Sequence, residues 1–92
     1  MSVHDLKLNK KYFDAVFHGL KTFEMRKDDR GFKVGDTLRL FWVGDEEDER
    51  AIAENGIQRP MIAAYITYIL THEDFEQIPE GYVVMSIRKA SK

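Results

Sequence analysis

Three ionisable side chains and a hydroxyl lie close together in one short segment of the chain, at Lys21, Thr22, Glu24 and Arg26. A set of basic, acidic and hydroxyl groups at one place is a candidate for a functional site. We therefore take these four residues as the candidate ligand-binding site. Lys21 and Glu24 are also the candidate catalytic residues, as a polarising cation and a general base.

The same segment has the alternation of a strand, predicted at residues 20–26. With a period of two, Phe23 and Met25 share one face, which we expect to be the core face, and Glu24 and Arg26 share the polar face. Lys21 is expected in the turn that enters the strand. The alternative interpretation is an exposed strand face whose Glu24–Arg26 pair contributes little stability.

The length of 92 residues predicts a single domain over residues 1–92, since it lies below the usual domain size of about 100–150 residues. The chain has no cysteine, which excludes disulfides, thiolate metal sites and a cysteine nucleophile. We expect a cytoplasmic protein without membrane association, because the sequence shows neither a leader pattern nor a bilayer-spanning apolar run.

The net charge of −2 is unevenly distributed along the chain. Residues 1–43 carry nine basic and six acidic side chains, whereas residues 44–58 carry six acidic side chains and one basic side chain. A protein that binds duplex nucleic acid would normally have a broader basic surface. Any nucleic-acid contact should therefore be local, on the scale of one nucleotide.

The remaining patterns predict a helix and further strands. Asn9 is a suitable N-cap, apolar residues follow at helical spacing, and Gly19 suits the end of the helix. Strands are predicted at residues 3–8, 37–43, 61–71 and 82–88, and a short second helical turn at 72–78. Residues 44–58 are expected to form a mobile acidic loop, which could dock a basic protein partner in a regulatory module.

This order of elements predicts a mainly β (α+β) fold. A small closed or nearly closed barrel of five to six strands, with the N-terminal helix plugging one end, would cover most strand faces without a second layer. A five-stranded α+β sandwich is the alternative.

Three motifs in this order resemble the ASCH domain of the PUA-like superfamily, and the closest likeness is to a small ASCH-related family of unknown function. The motifs are Gly19-x-Lys21-x-x-Glu24-x-Arg26, Phe32-x-Val34-Gly35-Asp36-x-Leu38-x-Leu40, and the run from Ile78-Pro79-Glu80-Gly81 to Ile87.

The resemblance implies a PUA-like β-barrel with a small polar cleft beside the first helix, holding RNA, a nucleotide or a modified nucleoside. Lys21 and Arg26 would meet phosphate or carbonyl oxygens there, and Glu24 would accept hydrogen bonds from a base edge. Several aromatic residues are available to stack on a base, with core packing as the alternative role of each. They are Phe41, Trp42, Tyr65, Tyr68 and Tyr82.

An enzymatic alternative comes from bacterial ASCH proteins that hydrolyse the acyl amide of a modified cytidine with a lysine, a threonine and a glutamate. Lys21 matches the lysine, but Glu24 stands at the place of the threonine, and Thr22 lies two residues early. The distant glutamate of that set has three candidates here, Glu73, Glu76 and Glu80. The sequence indicates no cofactor and no metal site, since His4, His18 and His72 are isolated.

Overall fold

The computed structural model describes residues 1–90, so the last two residues of the expected domain lie outside the described part. The fold is mainly β, with five strands in one curled, half-barrel sheet and two helices. The mainly β class and the strands predicted at 3–8, 37–43, 61–71 and 82–88 are confirmed. In chain order the elements are β1 (Val3–Asn9), α1 (Lys10–Phe17), β2 (Phe23–Lys27), β3 (Thr37–Val43), α2 (Glu46–Asn55), β4 (Met61–Thr71) and β5 (Tyr82–Lys89).

The sheet has the strand order β1-β3-β4-β5-β2, with β1 and β2 at its two edges. β1 runs parallel to β3, whereas the other neighbours are antiparallel. The two edge strands are therefore far apart along the sheet, and its curl brings them toward the same open side.

The core lies against the inner face of the curled sheet. Alternate residues of the strands are buried there, because only one face of each strand points inward. Phe13 and Val16 of α1, three residues apart on one helix face, pack into the same core. The buried strand residues are Leu6, Leu8, Leu38, Leu40, Ile62, Ala64, Ile66, Val83, Met85 and Ile87.

The prediction of a loop at residues 44–58 is wrong, because α2 occupies most of that segment. Asp45 caps the helix by accepting from the Asp48 N–H, and the Asp48 side chain reciprocally accepts from the Asp45 N–H. The acidic run forms the first helical turn, where negative charge interacts favourably with the helix dipole. Gly56 ends the helix in the left-handed conformation, at φ 62°.

Ion pairs and one close approach hold α2 against the rest of the chain. Arg59 binds Glu49 through two hydrogen bonds of 2.7 and 2.9 Å, and Lys10 binds Asp48 at 2.7 Å. The bonds from Arg59 and from the Gly44 N–H hold the pKa of Glu49 at about 2. A Cβ at Gly44 would lie 2.4 Å from Asp48, so this approach requires glycine.

Residues 72–78, where a short helical turn was expected, form consecutive hydrogen-bonded turns. The Asp74 carboxylate accepts from the Thr71 N–H at 2.8 Å and holds the first of them. The second helix of the fold is α2. No helix within residues 1–90 is long and apolar enough to cross a membrane.

Candidate functional site

A cleft of about 510 Å³ opens between the two edge strands, beside α1. The residues of β2 form one wall, and the end of β1 with the start of α1 forms the other. The residues lining this cleft are Lys7, Leu8, Asn9, Tyr12, Lys21, Phe23, Glu24, Met25 and Arg26.

Glu24 is the buried acid of the cleft, with only 2 % of its surface exposed. Its two oxygens bind different cations: Oε1 accepts from Lys21 Nζ, and Oε2 accepts from Arg26 Nε at 2.8 Å. Burial of a carboxylate is tolerable only when the charge is paired and hydrogen-bonded, and here both conditions are met.

The prediction that Phe23 and Met25 face the core is wrong, because the two faces of β2 are reversed. Both apolar side chains are about half exposed, whereas Glu24 is buried opposite the fully buried Met85 of β5. The paired cations make this reversal possible, since they neutralise the charge that the inner face receives. The same contacts contradict the alternative of an exposed strand face with a surface ion pair.

Lys21 lies in the turn before β2, as expected. Its Nζ donates to Glu24 and, at 2.6 Å, to the carbonyl oxygen of Phe23. The same nitrogen lies 5.7 Å from the centre of the Tyr12 ring and 5.0 Å from that of Phe23. An ammonium group has three donors, so the described contacts leave one of them for a ligand.

Arg26 connects Glu24 to the opposite wall of the cleft. Its Nη2 donates to the Lys7 carbonyl oxygen on β1 at 2.8 Å. Two residues before Lys7 on β1, the Asp5 carbonyl oxygen accepts a hydrogen bond from Arg30 at 2.8 Å. In β1 the Asp5 and Lys7 carbonyls point the same way, because direction alternates along a strand. Arginine side chains thus bridge the open side of the half-barrel.

The cleft carries more positive than negative charge. Three of its ionisable side chains that carry charge at neutral pH are basic, namely Lys7, Lys21 and Arg26, and Glu24 is acidic. Two of the three cations are already fixed in position by Glu24. The cleft is therefore suited to a ligand that has an anionic or carbonyl oxygen group.

Two aromatic side chains form the rim of the cleft, Tyr12 of α1 and Phe23 of β2. They are 46 % and 50 % exposed. Sequence reasoning missed both as stacking partners, since Phe23 was assigned to the core. The signal that could have found Tyr12 is its position three residues after the N-cap Asn9, on the end of α1 that also lines the cleft.

The other candidates predicted from the sequence lie elsewhere. Thr22 lines a smaller depression with Val16 and Arg88, while the proposed aromatic partners are absent from the cleft lining. Glu73 and Glu80 line a separate pocket with Thr71, His72 and Tyr82.

The structure thus brings together Lys21, Glu24 and Arg26 and leaves Thr22 outside. Among residues 1–90, no three His, Asp or Glu side chains are grouped to hold a metal ion.

These features define a small mainly β domain with a polar cleft at the open side of a half-barrel. The family model described as "Domain of unknown function (DUF3850)" matches residues 3–87, and the chain belongs to this family. A similar protein is the "Uncharacterized 12.9 kDa protein in GpA 3'region" of Escherichia phage P2, 52 % identical over 42 residues. The match covers 45 % of this chain and 38 % of the phage protein, so it spans well under half of that relative's length.

Proposed function

We propose that the cleft binds RNA, a nucleotide or a modified nucleoside, and that it receives one nucleoside unit. The observation that carries this proposal is the buried Glu24, fixed by two cations, one of which, Lys21, lies beside the exposed rings of Tyr12 and Phe23. A nucleoside has flat faces that stack on aromatic rings and a polar edge that needs hydrogen-bond partners. The cleft volume lies within the range of about 300–1,000 Å³ usual for small-molecule sites.

The local charge supports a phosphate-bearing ligand. Lys7 is exposed at the wall, and Arg26 retains three of its five N–H donors after the bonds described above. The chain as a whole is slightly acidic, with a net charge of −2. Binding should therefore depend on specific local contacts rather than on a general attraction to nucleic acid.

The resemblance of the Gly19–Arg26 motif to ASCH domains of the PUA-like superfamily supports the same proposal. In that resemblance the cleft beside the first helix is the expected ligand site. Family membership by itself adds no activity, since the family is described only as a domain of unknown function.

The contacts favour binding over amide hydrolysis. Both oxygens of Glu24 are engaged by cations, which leaves this carboxylate poorly placed to activate water. Among the residues that line the cleft, none carries a serine, threonine or cysteine nucleophile. Thr22, the nearest hydroxyl in sequence, lines a different depression.

Chemical-shift mapping of the isotopically labelled protein tests this proposal. Nucleosides, nucleotides and a short single-stranded RNA would be added separately, and we expect shifts at Lys21, Glu24 and Tyr12. Replacing Tyr12 with leucine keeps apolar bulk but removes the ring, so affinity should fall about fivefold or more. Phe75→Leu is the matched control, because Phe75 is a similarly exposed aromatic residue outside the cleft.

The charge contribution has a separate test. Lys7→Gln removes one cation without touching the Glu24 contacts, so the slope of log affinity against log salt for RNA should fall by about 0.7. Lys33→Gln, an exposed loop lysine, should leave the slope unchanged. Absence of shifts with all three ligand types would contradict the proposal. Shifts confined to α2 on adding a basic protein would instead favour the regulatory module.

A further inference from the structure

We infer that the outer face of β2, β4 and β5 is a second contact surface, on which bases of a single-stranded nucleic acid stack. The inference rests on the proposed function, since it extends a ligand chain beyond the nucleoside held in the cleft. The surface, called here the aromatic face, consists of Phe23, Tyr65, Tyr68 and Tyr82.

The register of the three strands places these rings on one side of the sheet. Ser86 of β5 pairs with Tyr68 on one side and with Phe23 on the other, so the three form a row across the sheet. Tyr65 lies at the end nearer Arg88, its partner in β5, and Tyr82 lies at the other end. Neighbouring strands are about 4.8 Å apart, so the small Ser86 leaves a shallow gap between two rings.

A β-bulge keeps Tyr68 on the outer face. Ile66 pairs with Ile87, and both are buried, while Tyr68 two residues later pairs with Ser86 across a shift in register. The bulge residue Thr67 bonds the Ser86 hydroxyl at 2.6 Å. Tyr68 is consequently 62 % exposed, the most exposed of the four rings.

The charges at the Tyr65 end of the aromatic face favour an anionic partner. Lys27 is paired with Tyr82 and Arg88 with Tyr65, but Tyr82 also lines a pocket with Asp28, Glu73 and Glu80, so only the Tyr65 end is basic. Within β2, β4 and β5 the single acidic residue is Glu24, and it points to the opposite face of the sheet. Exposed rings beside cations are the arrangement that holds single strands, by stacking and by phosphate contact.

The aromatic face adjoins the cleft, because Phe23 belongs to the aromatic face and lines the cleft. A strand leaving the cleft would therefore meet Phe23 first and Tyr68 next.

Fluorescence anisotropy with labelled single strands of about 8–12 nucleotides tests the inference, using RNA and DNA of the same sequence and a duplex for comparison. We expect single strands to bind more tightly than the duplex. In the double variant Tyr65→Leu with Tyr68→Leu, single-strand affinity should fall about tenfold or more. Nucleoside binding in the cleft should be unchanged, and Phe75→Leu should behave as wild type.

The outcomes separate the two proposals. Single-strand affinity unchanged in the double variant, with nucleoside binding intact, would overturn the inference alone. If the wild type binds no nucleoside, while single strands bind it and bind the double variant more weakly, the proposed function alone would be contradicted. A wild-type dimer in sedimentation that the double variant dissociates would overturn the inference in favour of a second copy.

Discussion

Arg26 on one edge strand donates from its Nη2 to the main-chain oxygen of Lys7 on the other edge strand, at 2.8 Å. Its Nε simultaneously donates to Glu24 at 2.8 Å. The guanidinium therefore joins the two edges of the half-barrel and fixes the buried acid of the cleft. Backbone pairing is not required at this seam, because a planar group with several donors spans it.

Arg26→Lys tests whether a guanidinium is needed to reach both Glu24 and the Lys7 carbonyl oxygen. Lysine keeps the charge but cannot reach Glu24 and Lys7 O together, so the free energy of unfolding should fall by about 1 kcal/mol and nucleoside affinity should fall with it. Urea melts and titration calorimetry would measure both quantities. Arg30→Lys is the matched control, since Arg30 bonds the same strand outside the cleft. If Arg26→Lys and Arg30→Lys bind nucleosides equally well, the double contact of the Arg26 guanidinium has no role in ligand binding.

Glu24→Gln tests the buried charge. Glutamine leaves Lys21 and Arg26 without their counter-charge in a mostly buried position, so the free energy of unfolding at pH 7 should fall by about 1–3 kcal/mol. Glu49→Gln removes a half-exposed carboxylate from its arginine and should cost less. Urea melts of both variants would show the difference, and equal losses would count against a special environment at Glu24.

Incubation with an acylated cytidine distinguishes a binding function from amide hydrolysis. We expect N4-acylated cytidine to remain intact with the wild-type protein, because no serine, threonine or cysteine lines the cleft and Glu24 is held by two cations. Chromatography of the nucleoside after prolonged incubation would check this. Turnover that disappears in Lys21→Ala and in Glu24→Gln would show that the amidohydrolase alternative is correct.

The buried pair of His4 and Asp36 predicts a dependence of stability on pH. A hydrogen bond from His4 at 2.8 Å, together with those from the Ser2 and Lys33 N–H groups, lowers the pKa of Asp36 to about 2. A depressed folded pKa means that the stabilisation is present above the unfolded value near 3.9. It is lost as pH falls through about 2.

Asp36→Asn should therefore lower the free energy of unfolding by about 1–2 kcal/mol at pH 6, and the difference from wild type should shrink between pH 4 and pH 2. Urea melts across this range would measure it. The exposed Asp14→Asn serves as the control and should track the wild type. A difference that stays constant down to pH 2 would contradict the assigned role of the Asp36 charge.

The acidic segment shows where local signals were present and were outweighed. Charge repulsion among residues 45–49 favoured a loop, yet Asp45 and Asp48 have the spacing of a capping box and Gly56 has that of a helix end. Both signals are local and readable. The ion pair between Glu49 and Arg59, ten residues later, depends on the path of the chain between α2 and β4. It could not be predicted from either residue alone.

The sequence by itself determined four of the five strands, the start of α1 at Asn9 and the grouping of Lys21, Glu24 and Arg26, because period, capping and short spacing act within a few residues. The strand predicted at residues 20–26 begins only at Phe23. Only the tertiary structure decided which face of β2 is buried. A period of two separates the faces of a strand but does not say which one meets the core, and here Met85 of β5 and the two cations placed Glu24 inside. The rim formed by Tyr12 and Phe23 likewise required the sheet to curl, since long-range packing alone brings α1 beside β2.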